Sequence, residues 1–521
     1  MPAVNIIKLE IFRNLLSSVA EEMGTVLQRT GYSPNIKERR DFSCALFDAN
    51  GDIAAQAAHL PVHLGSTPES VKKIIETVDM SKGDCVILND PYMGGTHLPD
   101  ITFVEPIFIK NNNKPSFYMA NRAHHCDVGG KTFGSMGLCT RIEDEGIIIP
   151  PTKLLLSGRL NKILLKDMMS RVRNPEERKG DFLAQLAAIA VGKKRLLNLV
   201  EKYSLDEVLF YMSALQDHSE RMVRELISRI PNGSYTALDH LDDDGMDNEN
   251  IPIILTITVL DDEITMDFTG SAQQVRGNIN AVHAVTRSAA FYVLRCLVNE
   301  DIPTNSGIFR PIKLILPEKS IVNASYPAAV AGGNVETSQR ITDVIFLALS
   351  KVLTGEIPSA SQGTMNNVSI GGVDQRNGEE FTYYETIGGG TGASAHGNGV
   401  DAVHSHMTNT LNTPVEALEH AYPFRVTKYQ IRKGSGGTGI HKGGDGIIRE
   451  YEFCGDAEVS LLSERRKNGP WGLNGGGPGN PGKNILIKND EKIILPSKVN
   501  IKVKKGDRLI VETPGGGGYG Q

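Results

Sequence analysis

Histidine and aspartate side chains concentrate between residues 89 and 130, and their types suit a divalent transition metal. His97 and Asp100 are three positions apart. Pro99 between them removes a backbone donor and disfavours a helix, so a turn must bring the two side chains together. Imidazoles with a carboxylate can hold such a metal and leave one position for a water molecule that the metal acidifies. The segment therefore predicts a hydrolytic metal centre.

A hairpin is predicted to supply the third ligand. Residues 101–108 and 116–123 are apolar and β-rich, and the KNNNK sequence between them is typical of a turn. If the loop is centred on Asn112, antiparallel pairing places Asp100 directly opposite His124, with Cβ atoms roughly 5 Å apart. The turn histidine and this cross-strand pair are thus predicted to lie together.

Two features of the hairpin leave alternatives open. Pro106 cannot donate to a strand ladder, and a bulge there would present His125 in place of His124. A second interpretation is a polar hairpin whose histidines cap or bridge backbone groups. Cys126 alternates with His124 and would share its strand face, although a small buried hydrophobic role is more common for such a thiol. We therefore keep Cys126 out of the predicted site.

The composition indicates a soluble protein of several domains. The chain has 521 residues, 40% of them hydrophobic, which suits roughly two to four domains. A net charge of −6 with intermixed signs gives no reason to expect nucleic acid or an anionic membrane as a partner. Six cysteines without a CxxC pair predict free thiols in a reducing compartment. With neither a signal sequence nor a membrane-spanning apolar run, we expect a cytoplasmic protein.

The order of helical and strand patterns predicts an α+β chain. We expect a metal-bearing α/β domain over residues 1–150 and a helical subdomain over 151–232. A mixed α+β domain over 233–420 and a β-rich C-terminal domain over 421–521 are expected to follow. Within the first part, apolar residues at helical spacing predict a helix over about 6–29.

Two other segments carry residue types that could do chemistry. Residues 477–483 match the spacing of a phosphate-binding loop, but Asn484 and a predicted strand follow instead of Ser or Thr and a helix. ATP binding by this chain is therefore not expected. His404 and His406 share a face if their segment is extended, yet a pair without a nearby third ligand is more often a hydrogen-bonding element.

Four long motifs carry a resemblance to a known family. They are NDPYMGGTHLPDITFVEPIF, NRAHHCDVGG, SGGTGIHKGGDGIIREYEF and the terminal VETPGGGGYG. With these motifs the chain resembles the hydantoinase B family, which includes N-methylhydantoinase B subunits and the C-terminal half of ATP-dependent 5-oxoprolinase. The α-type subunits of acetone and acetophenone carboxylases are related to it. The likeness runs from ERRDFS to the last residues.

The resemblance implies a metal site with a fourth ligand. By motif, the family's ligands fall on Asp41 of RRDFS, His97 and Asp100 of THLPD, and His124 of AHHCD. Zinc or manganese is the expected metal. Cys126 stands where the family usually has a small residue such as alanine.

The resemblance also implies a division of labour between two chains. A hydantoinase A-type subunit binds ATP and phosphorylates the carbonyl of a cyclic amide, and the B-type chain uses metal-activated water to open the ring. ATP then belongs to the partner within a hetero-oligomer. His125 and Asp127 are expected to orient a ligand, or else to form a backbone-bridging pair. The rival functions are an α-type carboxylase subunit and a non-catalytic scaffold for the A-type chain.

Overall fold

The computed structural model describes residues 4–57, 59–110, 112–298 and 300–521. Helices and strands are mixed throughout these residues, and the strands form four separate sheets, which confirms the α+β class. Among the described helices, none combines the length and the apolar character needed to cross a bilayer.

The first sheet contains the predicted hairpin, and its seven strands pair antiparallel. The strands are β1 (Phe42–Asp48), β2 (Ile53–Gln56), β3 (Cys85–Leu88), β4 (Asp100–Ile107), β5 (Phe117–His124), β6 (Thr152–Leu156) and β7 (Arg159–Leu160). They lie in the order β2-β1-β5-β4-β3-β6-β7. Asp100 pairs with His124, and the ladder continues through Pro106 without a shift, so the predicted register is confirmed. Every position of β4 and β5 is buried. A one-residue slip would move every side chain to the opposite packed face, so burial stabilises this register.

The N-terminal part also contains helices, several of which pack against this sheet. They are α1 (Ile6–Thr30), α2 (Pro34–Lys37), α3 (Ser66–Thr77), α4 (Ile142–Glu145), α5 (Lys162–Met169), α6 (Pro175–Tyr203) and α7 (Leu205–Ser228). The helix predicted over about 6–29 is confirmed as α1, which packs along α6 and against β1. Phe12 and Met23 of α1 are fully buried, whereas Ile7 in its first turn is 74% exposed.

The segment predicted as a helical subdomain begins with a hairpin. Strands β6 and β7 extend the first sheet beyond β3. The helices that follow pack back onto helix α1 and the first sheet, because α6 contacts α1, β4 and β5, and α7 contacts α1 and β2. The division of the chain into four domains stays a prediction.

The second sheet follows α7. Its strands are β8 (Gly233–Asp243), β9 (Glu249–Leu260), β10 (Glu263–Asp267) and β11 (Ile312–Ile315). Strand β9 pairs with β10 antiparallel, and β11 adds to β10 in parallel. Helix α8 (His283–Leu297) packs against α9 (Ser338–Leu349), which a π-type turn, Gly333–Thr337, precedes.

The C-terminal strands are divided between two further sheets. These elements are β12 (Asn367–Asp374), β13 (Glu379–Glu385), α10 (Val415–Ala421), β14 (Phe424–Arg432), β15 (Gly446–Phe453), β16 (Ala457–Leu462), β17 (Lys483–Lys488), β18 (Glu491–Leu495), β19 (Lys498–Val503) and β20 (Arg508–Glu512). The third sheet has the order β13-β12-β16-β19, and the fourth has the order β14-β15-β20-β17-β18. Strands from the last hundred residues therefore complete a sheet that begins before residue 421. The strand expected after residues 477–483 is β17.

Candidate metal centre

The open end of the β4–β5 hairpin brings His97, Asp100 and His124 together. One ligand atom from each of these residues lies within 4.8 Å of the other two. The two imidazole rings are 5.0 Å apart between centroids. All three residues are buried, with exposed fractions of 0%, 1% and 3%. The turn and the strand register thus assemble the group as the sequence predicted.

The imidazole nitrogens of this group are available to a ligand. Both nitrogens of His97 and Nε2 of His124 are buried without a hydrogen-bond partner in the described part of the chain. His97 Nε2 lies 3.3 Å from an Asp100 carboxylate oxygen, as an electrostatic contact outside hydrogen-bond geometry. Buried polar atoms rarely lack a partner. Two nitrogen donors around one carboxylate fit a divalent cation such as zinc or manganese.

Asn35 fixes the ring of His124. Its side-chain nitrogen lies 3.1 Å from His124 Nδ1. The Asn35 amide nitrogen donates to His124 Nδ1, while the Asn35 oxygen accepts a hydrogen bond of 3.3 Å from Arg39 Nη1, so the amide holds the ring in place. Burial, followed by the neighbouring His97, lowers the pKa of His124 well below its usual value, which keeps the ring neutral.

His63 is a site residue that the sequence did not reveal. It ends a short 3₁₀ turn, Pro61–His63, and its Nε2 lies 3.3 Å from Asp100 Oδ2. Its other ring nitrogen is 2.8 Å from the Ser43 hydroxyl. Thr96 donates a hydrogen bond of 2.7 Å to the same Asp100 oxygen. Burial opposes ionisation of Asp100, but its histidine neighbours hold its pKa well below the usual range.

Asp41 lies at the edge of the group. It precedes β1, and its main-chain oxygen accepts a hydrogen bond of 3.0 Å from the His124 amide. Its carboxylate is 3.5 Å from Arg39 Nη2, and the 4.8 Å group of three does not extend to it. Burial raises the pKa of Asp41 to about 6; Arg39 opposes this effect and the charge of Asp100 adds to it. Asp41 is therefore within electrostatic reach of Asp100.

His125 and Asp127 make contacts on other sides of the hairpin end. His125 Nε2 lies 3.0 Å from Gln185 Oε1. Asp127 accepts hydrogen bonds from the amides of Gly129 and Gly134 and pairs with Arg173 at 3.0 Å. These contacts favour the alternative in which the two residues hold neighbouring segments in place.

Cys126 does not join the metal-ligand group formed by the described residues. Its thiol donates to the carbonyl of Thr382 at 3.3 Å. Burial raises the pKa of this thiol to about 11, so the thiolate that binds metals is disfavoured.

Tyr384, on β13 of the third sheet, covers one face of the His124 ring. Its ring stacks on His124 with centroids 4.7 Å apart and an angle of 12°. Its hydroxyl donates to Asn367 Oδ1 at 2.7 Å, and the Asn367 amide donates to Glu336 Oε1 at 2.6 Å. Glu336 belongs to the π-type turn and is fully buried, and burial raises its pKa to about 8. A chain of contacts thus joins the hairpin to distant parts of the sequence.

His406 and His404 differ in surroundings. His406 Nδ1 is 3.4 Å from the Tyr292 hydroxyl, and its Nε2 is 3.8 Å from Asp343. Both nitrogens of His404 are buried and lack a hydrogen-bond partner among the residues described. In the described ranges the two histidines form no metal group with a third ligand.

The family model for hydantoinase B/oxoprolinase matches residues 5–521. The chain belongs to this family. It is 40% identical over 526 residues to a 5-oxoprolinase of Dictyostelium discoideum, with 99% of this chain and 40% of that protein covered. It is 33% identical over 536 residues to a putative D-/L-hydantoinase B-type chain of a Pseudomonas species, with 99% and 90% covered. The chain thus spans less than half of the oxoprolinase and most of the hydantoinase chain.

Solved structures agree with this family assignment. An ATP-dependent caprolactamase from Pseudomonas jessenii superposes with a TM-score of 0.92 at 26% identity, covering 99% of this chain and 91% of that one. An acetone carboxylase in a nucleotide-free structure has a TM-score of 0.87 at 19% identity, with 98% and 76% covered, and shares the fold.

Proposed function

We propose that this chain is the B-type subunit of an ATP-dependent cyclic amide hydrolase, which opens a ring that an A-type partner has phosphorylated. The observation that carries the proposal is the buried group of His97, Asp100 and His124 in a chain of this family. Both ring nitrogens of His97 and Nε2 of His124 lack partners among the described residues. Asp41 and these three residues are the proposed metal ligands. Hydantoin, N-methylhydantoin, 5-oxoproline and lactams are the candidate substrates.

The protonation states and contacts of the site residues favour metal-assisted hydrolysis. A divalent cation held there would supply Lewis acidity and lower the pKa of water toward about 7. Burial keeps His124 neutral, and contacts with His63 and His97 keep Asp100 ionised. Asn35 and Tyr384 fix the ring of His124 from two sides, which preserves the geometry of the group. We propose that His125 and Asp127 support the end of the hairpin.

An A-type partner is part of the proposal. The Pseudomonas relative is named as one subunit of a hydantoinase, which implies that a second subunit exists in that enzyme. The chain covers only 40% of the Dictyostelium 5-oxoprolinase, so more than half of that protein has no counterpart here. We propose that ATP binds to the partner, that the two chains form a hetero-oligomer and that they work in the cytoplasm.

The proposal is tested by purifying the chain with its A-type partner and measuring ATP-dependent turnover of the four substrate types. Asp100→Ala and His124→Ala should abolish turnover and reduce bound metal, because each removes a ligand. His406→Ala, at a buried histidine outside the group, is the matched control. Turnover that requires bicarbonate would instead indicate a carboxylase. Full ATP-dependent activity in both ligand variants would refute the metal site and support a scaffold.

A further inference from the structure

The Tyr384 hydroxyl is held by an amide whose orientation is fixed. Tyr384 donates to Asn367 Oδ1 at 2.7 Å. The Asn367 nitrogen donates to Glu336 Oε1 at 2.6 Å and to the carbonyl of Leu462 at 2.8 Å, so both of its hydrogens are used. Because these two acceptors require the nitrogen end of the amide, the oxygen end must face Tyr384. The hydroxyl of Tyr384 is therefore a donor with a single direction.

Glu336, at the far end of this chain of hydrogen bonds, is placed by the π-type turn Gly333–Thr337. Its Oε1 also accepts a hydrogen bond of 3.0 Å from the amide of Met365. The turn packs closely against the preceding part of the chain, since a Cβ atom at Gly333 would lie 1.9 Å from the Asn280 carbonyl oxygen. Single π-type turns are rare and are frequent at functional sites. The carboxylate thus occupies a fixed position.

The other end of the chain is the candidate metal centre. The ring of Tyr384 stacks on His124 with centroids 4.7 Å apart, and Nε2 of His124 has no partner among the described residues. Glu336, Asn367 and Tyr384 are all buried. In a buried series of hydrogen bonds, removing one member leaves its neighbour unsatisfied and free to move. A shift of the Tyr384 ring would then move the imidazole that stacks on it.

We propose that Glu336 and Asn367 are positioning residues of the metal centre, which act on His124 through the hydroxyl and the ring of Tyr384. The π-type turn and the third sheet then set the affinity for the metal without supplying any of the four proposed ligands. Removing a partner that orients a metal ligand typically lowers metal affinity tenfold to a hundredfold. This inference rests on the proposed function, because it takes His124 as a metal ligand.

The first test removes one hydroxyl from each of two neighbouring tyrosines. Tyr384→Phe deletes the donor to Asn367 and keeps the ring that stacks on His124. Tyr383→Phe is the matched control, because Tyr383 is also buried, points to the opposite face of β13 and donates its hydroxyl to Glu385. In competition with a chelator, Tyr384→Phe should raise the Kd for zinc roughly tenfold. Tyr383→Phe should bind zinc like the wild type.

The second test compares removal with a conservative change. Glu336→Ala and Asn367→Ala should each raise the Kd for zinc roughly tenfold or more. Glu336→Gln keeps an acceptor oxygen for the Asn367 amide, so its Kd should stay within about twofold of the wild-type value. Three positions are changed because one variant could fail to fold.

Cobalt-loaded chains give a spectroscopic readout, since the visible spectrum of bound Co²⁺ depends on its coordination geometry. At saturating cobalt, the absorption bands should shift in Tyr384→Phe. They should match those of the wild type in Tyr383→Phe and Glu336→Gln. A purely structural role of the hydroxyl would leave the bands unchanged.

Unchanged zinc affinity in Tyr384→Phe, Glu336→Ala and Asn367→Ala would overturn the inference. An equal loss of affinity in Tyr384→Phe and Tyr383→Phe would do the same, because a general loss of stability would then explain both. A wild-type chain that binds no zinc would overturn the inference together with the metal site. Failure of the proposed function alone would look different. In that case zinc affinity depends on these residues as expected, but the complex with the A-type partner hydrolyses none of the cyclic amides.

Discussion

Metal binding should stabilise the whole fold, and His124→Ala should abolish this stabilisation. The site joins distant parts of the chain, because His124 on β5 contacts Asn35 of α2 and Tyr384 of β13. An ion that binds only the native state adds about 4 kcal/mol when its free concentration is about a thousand times Kd. The stabilisation should therefore be global and not restricted to the hairpin.

The expected shift in melting temperature follows from the length of the chain. For 521 residues that unfold as one unit, the unfolding entropy is about 1.1 kcal/mol/K. A gain of about 4 kcal/mol then corresponds to a rise in Tm of about 4 °C. Each further tenfold increase in zinc concentration should add a few tenths of this rise in Tm.

Differential scanning calorimetry of the metal-free chain, with and without added zinc, measures this shift. His124→Ala should show a rise below about 1 °C, because the remaining ligands bind the ion weakly. His406→Ala, which also removes a buried histidine, should keep the full rise. If zinc raised the Tm of His124→Ala as much as that of the wild type, the stabilisation would arise elsewhere and the assignment of His124 as a ligand would be refuted.

Three further predictions concern residues around the ligands. His63→Ala should raise the Kd for zinc roughly tenfold to a hundredfold in a chelator competition, because His63 orients Asp100; an unchanged Kd would contradict that role. Cys126→Ala should bind metal at the wild-type stoichiometry, since the thiol donates to Thr382; loss of metal would make the thiol a ligand. Burial raises the pKa of Glu336 to about 8, above its unfolded value, so the native state retains a proton that the unfolded state has lost. The wild type should therefore lose stability relative to Glu336→Gln as the pH rises from 5 to 8, by up to about 1.4 kcal/mol per unit, and parallel Tm curves for the two proteins would contradict this.

Local patterns were sufficient to predict the hairpin and its register. Strand periodicity and a turn-forming KNNNK loop predicted that Asp100 meets His124. The alternative of a bulge at Pro106, which would present His125, was excluded only by the unshifted ladder of the structure. Helix α1 followed from periodicity in the same way. Asp41 was different, because only the resemblance to a family singled it out among 61 acidic residues.

The residues that complete the site come from far along the chain. Tyr384 and Glu336 reach His124 through stacking and hydrogen bonds across more than two hundred residues of sequence. Their segments show no motif of their own, and His63 lies in a short 3₁₀ turn without a metal-binding pattern. Sequence periodicity describes which face of an element is buried, but it does not say which element covers that face.

By itself, the sequence determined the class of the fold, the β4–β5 hairpin and the meeting of His97, Asp100 and His124. The hairpin and the ligand group depend on contacts within about thirty residues, where turn chemistry and side-chain alternation fix the geometry. Only the tertiary structure decided that β16 and β19 complete the third sheet with β12 and β13. It also decided that Tyr384 stacks on His124. These arrangements depend on packing between elements that are distant in sequence, and the burial of charge that results exists only in the folded chain.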